Sequence, residues 1–141
     1  MPITSAVSLK RTQCLEADYS ELAAAFVNLS MLNGWEERDI VDMRKALLRS
    51  IWVGSVQNKD NVIAVARLVG DGIYNVILYD LLVHPDFQGQ GLGTRLTQAA
   101  HQFVKSMNID RLECISSVSA EPFYRKIGWE EGHAFYIKGN K

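Results

Sequence analysis

Three glycines alternate along Gln88-Gly-Gln-Gly-Leu-Gly-Thr94, directly after an apolar run that ends Val83-His84-Pro85. Apolar residues at helical spacing resume from Leu92 onward. A turn without Cβ atoms leaves its backbone N–H groups open where a helix begins. Those first N–H groups have no partner inside the helix, and the helix dipole adds partial positive charge. Such a turn suits a phosphate group, so a pyrophosphate-bearing ligand is the first functional expectation. A P-loop would need a Lys after its last glycine, but Thr94 follows Gly93 directly. A dinucleotide fingerprint, G-x-G-x-x-G, would place the third glycine one residue later.

Composition narrows the class. The chain has 141 residues, 48% hydrophobic and 22% charged, which suits one soluble domain with one core, spanning 1–141. A formal net charge of -1 argues against a nucleic-acid partner, for which a basic face is expected. Cys14 and Cys114 have no C-x-x-C neighbours, and His84, His101 and His133 are scattered. No metal site is therefore expected, and the cysteines read as reduced thiols of a cytoplasmic protein. No apolar run approaches the length of a membrane span, and the N-terminus lacks the charged and apolar regions of a signal peptide.

The elements that must position the glycine turn can be read from spacing. Val7 to Gln13 alternates as a strand. Asp18 and Glu21 have capping-box spacing ahead of Leu22, Phe26 and Leu29, and Gly34 ends that helix. Glu36 to Ser50 reads as a second helix. Ile51 to Val56 and Val62 to Val69 form a hairpin, and Gly70-Asp-Gly72 turns the chain into a long apolar strand, Ile73 to Val83. Gly91 to Met107 is a helix, Leu112 to Ser116 a strand, and Ser119 to Ile127 a short helix stopped by Gly128. Ala134 to Ile137 supplies a last strand. The order is β-α-α-β-β-β-α-β-α-β, an α+β fold with helices on both faces of one mixed, mainly antiparallel sheet.

The spacing Gln88-x-x-Gly91-x-Gly93 after a strand and Pro85 resembles the acyl-CoA pyrophosphate loop of the GCN5-related N-acetyltransferases, the GNAT superfamily. The resemblance runs from Val65 to Trp129. Ala66-Arg67, Gly70-Asp-Gly72, Tyr74-Asn75 and Tyr79-Asp80 are similar to a small bacterial and plastid-type subgroup that includes serotonin N-acetyltransferases. Ala120-x-x-Phe123-Tyr124-x-Lys126-x-Gly128-Trp129 is similar to a second signature of the family. The chain departs at Ser117, where members carry Asn or Asp. Its first half, Met1 to Gln57, shapes the acceptor pocket in the family and resembles nothing as strongly.

The resemblance implies acetyl-CoA as co-substrate, no metal, and transfer to a primary amine, either a small arylalkylamine or a protein lysine or N-terminal amine. A sensor that binds acetyl-CoA without turnover is the non-enzymatic alternative. A homodimer is common in the family. Amide formation needs a proton removed from the ammonium, a donor for the oxyanion and a proton for the departing thiolate. Asp80, inside an apolar strand, is the base candidate; alternatively it pairs with an arginine such as Arg67. Tyr124 is the acid candidate, or a core tyrosine. The resemblance assigns cofactor contacts to the backbone of Leu82 and Val83 and to Gln88, Gly89, Gln90, Gly91, Leu92, Gly93 and Thr94. The Ser117 hydroxyl and the Phe123 ring would meet the pantetheine arm. Arg95 and Arg125 either reach phosphates or are solvated, and His84 is either exposed or an alternative base. Trp35, Trp52 and Tyr79 either wall an aromatic acceptor pocket or fill core.

Overall fold

The computed structural model describes residues 7–11 and 19–139. Five strands form one sheet in sequence order: β1 (Val7–Arg11), β2 (Trp52–Asn58), β3 (Asn61–Gly70), β4 (Asn75–Val83) and β5 (Arg111–Cys114). The first four pair antiparallel, and β4 pairs β5 in parallel across α3 (Leu92–Ser106). Helices α1 (Ser20–Leu32) and α2 (Ile40–Leu48) precede β2, and α4 (Glu121–Lys126) follows β5.

Alternation along the strands sends side chains to two cores. Trp52, Val56, Leu68, Val76 and Leu78 pack with Leu92, Leu96, Ala100 and Val104 of α3 on one face. Val53, Val65 and Leu82 pack with Leu22, Phe26, Leu29, Met43 and Leu47 of α1 and α2 on the other. Burying each such side chain contributes about 1.5–3 kcal/mol.

The larger departures from the sequence expectation have local reasons. Helix α2 begins at Ile40 rather than near Glu36, because Asp39 is its N-cap and accepts from Asp42 N at 2.9 Å. Strand β4 begins at Asn75 rather than Ile73. Asp71 Oδ1 gathers the N–H groups of Ile73, Tyr74 and Asn75 at 2.8, 2.9 and 3.0 Å, which holds that stretch as a turn. The strand expected at Ala134–Ile137 is not formed, and Phe135, Tyr136 and Ile137 are almost fully exposed. Exposed there, these side chains bury too little apolar surface to offset the cost of ordering a further strand. The capping box at Asp18, the residue Cys14 and the end of the first expected strand lie outside the described residues.

Candidate active site

The parallel pairing of β4 with β5 stops at Leu78 opposite Cys114, while β4 continues to Val83. Beyond Cys114 the chain leaves the sheet through a 3-10 turn, Val118–Ala120, and enters α4. The two strands therefore part, and a cleft of about 460 Å³ opens between the free end of β4 and α4. Leu81 and Val83 of β4 form one wall, Phe123 and Tyr124 of α4 the other, and Gly93 lies at the start of α3.

The glycine turn ends at this cleft. Gly89 and Gly91 have φ of +77° and +82°, and an added Cβ at either would meet nothing within 4 Å. Gly91 is the N-cap of α3 and supplies no side-chain cap. Arg95 N reaches Gly91 O at 3.0 Å, closing the first turn of the helix. The N–H groups of Leu92, Gly93 and Thr94 precede that bond, the open array expected for a phosphate. Leu92 itself is buried core, so it contributes through its backbone alone. Gly93 has a different function: a Cβ there would stand 3.3 Å from the Phe123 ring, so its absence lets α4 pack against α3. Thr94 accepts the Thr97 hydroxyl at its carbonyl, 2.9 Å, and its N–H remains in the open array. Gln90 is exposed at the turn.

Gln88 is engaged within the protein. Its backbone N–H turns inward to Pro85 O at 3.4 Å, and its side-chain amide donates to Asn33 Oδ1 and Val83 O at 3.1 and 3.2 Å. Asn33 Nδ2 adds a bond to the same Val83 carbonyl at 3.1 Å. Gln88 thus braces the turn against the ends of α1 and β4. Val83 O accepts from both of these amides. Ser117 lies between β5 and α4. It is exposed and its hydroxyl pairs with that of Ser119 at 3.2 Å, and Ser119 is the one that lines the cleft.

Tyr124 stands at the point where the strands part. Its ring packs between Phe123 and Trp129, at centroid distances of 5.1 and 5.3 Å. It lines a second pocket together with Cys114, the last residue of β5. Burial pushes the Tyr124 phenol well above its ordinary range, and the neighbouring Cys114 adds to the rise. Burial also pushes the Cys114 thiol up. The phenol therefore holds its proton at neutral pH, which is the state a proton donor needs.

Asp80 occupies a bulge. Val65 pairs Leu82 and Arg67 pairs Tyr79, so Ala66 faces both Asp80 and Leu81. Asp80 has φ of +55°, a conformation rare for a residue with a side chain. Its carboxylate is 2% exposed, with Oδ2 on Arg67 Nε at 2.7 Å and Oδ1 on Arg38 Nη1 at 2.9 Å. The ion-pair alternative is thus realised, with a second arginine that spacing alone did not reveal. Each guanidinium lies beside an aromatic ring, Arg67 over Tyr79 at 5.3 Å and Arg38 over Trp35 at 5.2 Å. Both rings are partly exposed, whereas Trp52 is buried in the core under α3 and walls no pocket.

The remaining candidates are spent on local structure. His84 Nδ1 accepts from Asp86 N at 3.1 Å and caps the turn after β4. Arg125 pairs with Glu131 at 2.9 Å and Glu121 at 3.5 Å.

Residues 41–138 match the acetyltransferase (GNAT) domain family. A protein of Porphyra purpurea named as the uncharacterized N-acetyltransferase ycf52 is 34% identical over 104 residues, covering 68% of this chain and 58% of the relative. Its counterpart of the same name in Pyropia yezoensis is 30% identical over 100 residues, with the same shares. This chain thus spans 58% of the length of either relative. Among solved structures, the GNAT-family acetyltransferase SP0256 of Streptococcus pneumoniae superposes with a TM-score of 0.73 at 22% identity, covering 96% of this chain and all (100%) of that one.

Proposed function

This chain belongs to the GNAT family of acetyltransferases, and we propose that it moves the acetyl group of acetyl-CoA to a small primary amine by direct attack in a ternary complex. The observation that carries this reading is the cleft where β4 and β5 part, with open helix-start amides at one end and a protonated tyrosine in its wall. The residues fit the co-substrate. The empty space over Gly89 and Gly91 admits a pyrophosphate to the N–H groups of Leu92, Gly93 and Thr94, and Phe123 offers an apolar wall to a pantetheine arm. When bound, acetyl-CoA supplies the activated acyl carbon.

The protein's own groups supply the rest. One backbone N–H of the Leu82–Val83 end of β4, where adjacent N–H groups point to opposite edges, is the donor for a developing oxyanion. Tyr124 Oη gives its proton to the departing sulfur. Asp80 receives the ammonium of the acceptor, and its proton, in exchange for one of the two guanidiniums now on it, and the half-open rings of Trp35 and Tyr79 beside those guanidiniums favour an aromatic amine.

The test is release of free thiol from acetyl-CoA with a panel of tryptamine, phenethylamine and a lysine peptide. Amine-dependent release, fastest with the two aromatic amines, is the expected result. Preference for the peptide would move the acceptor to the protein class. Binding of acetyl-CoA with no amine-dependent release would leave a sensor in place of an enzyme.

A further inference from the structure

We propose that Arg38 is a built-in occupant of the acceptor's ammonium site, which a substrate cation must displace from Asp80. The proposal rests on the acetyltransferase reading above and goes beyond it in assigning a specificity-determining residue.

The two guanidiniums on Asp80 are not equivalent. Arg67 belongs to β3, the strand paired with β4, and its side chain is 15% exposed. It contacts Oδ2 through Nε, lies over Tyr79, and approaches Ser50 Oγ at 3.4 Å. Arg38 comes instead from the connection between α1 and α2, and its side chain is 39% exposed. It reaches Oδ1 through Nη1 alone, lies over the half-exposed Trp35 ring, and touches Met43 Sδ at 4.0 Å.

One guanidinium already balances the single charge of Asp80. The second gives this cluster a net positive charge, an unfavourable surface for an arriving ammonium. Exchange resolves the conflict. If the ammonium takes the place of Arg38, Asp80 keeps two cations and Trp35 keeps a cation near its face. An ammonium is a compact donor of three hydrogen bonds and fits where one Nη1 now sits. The Arg38 end of the pair is partly exposed, so water solvates the guanidinium as it leaves, while Arg67 stays on the buried carboxylate throughout the exchange. While Arg38 occupies the carboxylate, apparent amine affinity is lowered by the fraction of molecules in which the site is free.

The experiment compares the wild type with Arg38→Gln and Arg38→Lys in steady-state transfer from acetyl-CoA to tryptamine and phenethylamine. Arg38→Gln keeps a polar side chain and removes the competing charge. The expected result is a KM for amine lower by roughly three- to tenfold, a change larger than any in kcat. Arg38→Lys keeps a cation and should stay near the wild-type KM. Inhibition by the neutral isostere 2-phenylethanol should not tighten in either variant, and melting temperatures establish that both are folded. An unchanged or raised KM in Arg38→Gln, with the wild type turning over, overturns this proposal and leaves the acetyltransferase reading intact. Absence of amine-dependent release from the wild type overturns both.

Discussion

Tyr124 is held as a phenol by its surroundings, and this has separate consequences for rate and for stability. Replacing it with Phe keeps the ring packing on Phe123 and Trp129 and removes the proton. We expect kcat to fall by about 10²–10⁴-fold while acetyl-CoA affinity is retained, measured by steady-state kinetics beside calorimetry. The same burial links folding to alkaline pH. An unfolded tyrosine titrates near about 10, and the folded one titrates higher. The stabilising difference is fully present below pH ~10 and is lost as pH rises above it, with a slope approaching about 1.4 kcal/mol per pH unit. Urea midpoints from pH 9 to 12 should fall less steeply in Tyr124→Phe than in the wild type. Parallel curves would place the alkaline loss elsewhere. Asp80 behaves oppositely: its removal matters to the fold at neutral pH. Asp80→Ala leaves the mostly buried Arg67 without its anion, and a loss of about 3–5 kcal/mol is expected in urea unfolding. Asp80→Asn should lose less, because an amide oxygen still accepts from Arg67 Nε and Asn tolerates the left-handed backbone.

At the scale of elements, the glycine turn, the strand before it and the helix after it were legible because their signals are local. Alternation, an absent Cβ and i, i+4 spacing all act within a few residues. The pairing of Asp80 with two arginines was only half legible. A bulge puts Tyr79 and Asp80 out of simple alternation, and Arg38 reaches β4 from a connection far away in sequence. The closeness of Tyr124 to Cys114 escaped notice for the same reason, since the parallel register alone brings the end of β5 beside α4. The bracing of Gln88 by Asn33 likewise depends on how α1 docks on the sheet. The turn itself gives a sharp prediction. Gly91→Val forces a β-branched residue into φ of +82° and fills the space over the N–H groups. Acetyl-CoA affinity should fall at least tenfold in calorimetry, and an unchanged affinity would remove the pyrophosphate from this turn. Gly93→Val should act through packing, because its Cβ meets the Phe123 ring, so its melting temperature should fall as well.

Across the whole molecule, the cleft divides the sheet into parts of unequal support. Strands β1 to β4 are joined by antiparallel ladders, and β2 to β4 are sandwiched between two cores. Beyond α3, β5 is tied to β4 by four register pairs, and α4 is a six-residue helix. Units with few ladder bonds and little burial open first in native exchange. Amides of residues 111–126 should therefore exchange with solvent faster than those of β3. Acetyl-CoA in the cleft would touch β4 on one side and α4 on the other, so it should protect this weaker unit. The linkage is quantitative: a ligand at 100 times its Kd adds about 2.7 kcal/mol to the stability of the form that binds it. For a chain of this size that corresponds to a rise in melting temperature of roughly 6–12 °C. Hydrogen exchange with and without acetyl-CoA should show the added protection concentrated at 92–95 and 111–126, while β2 and β3 change little. Protection spread evenly over the sheet, or confined to α1 and α2, would place the ligand outside the cleft between β4 and α4.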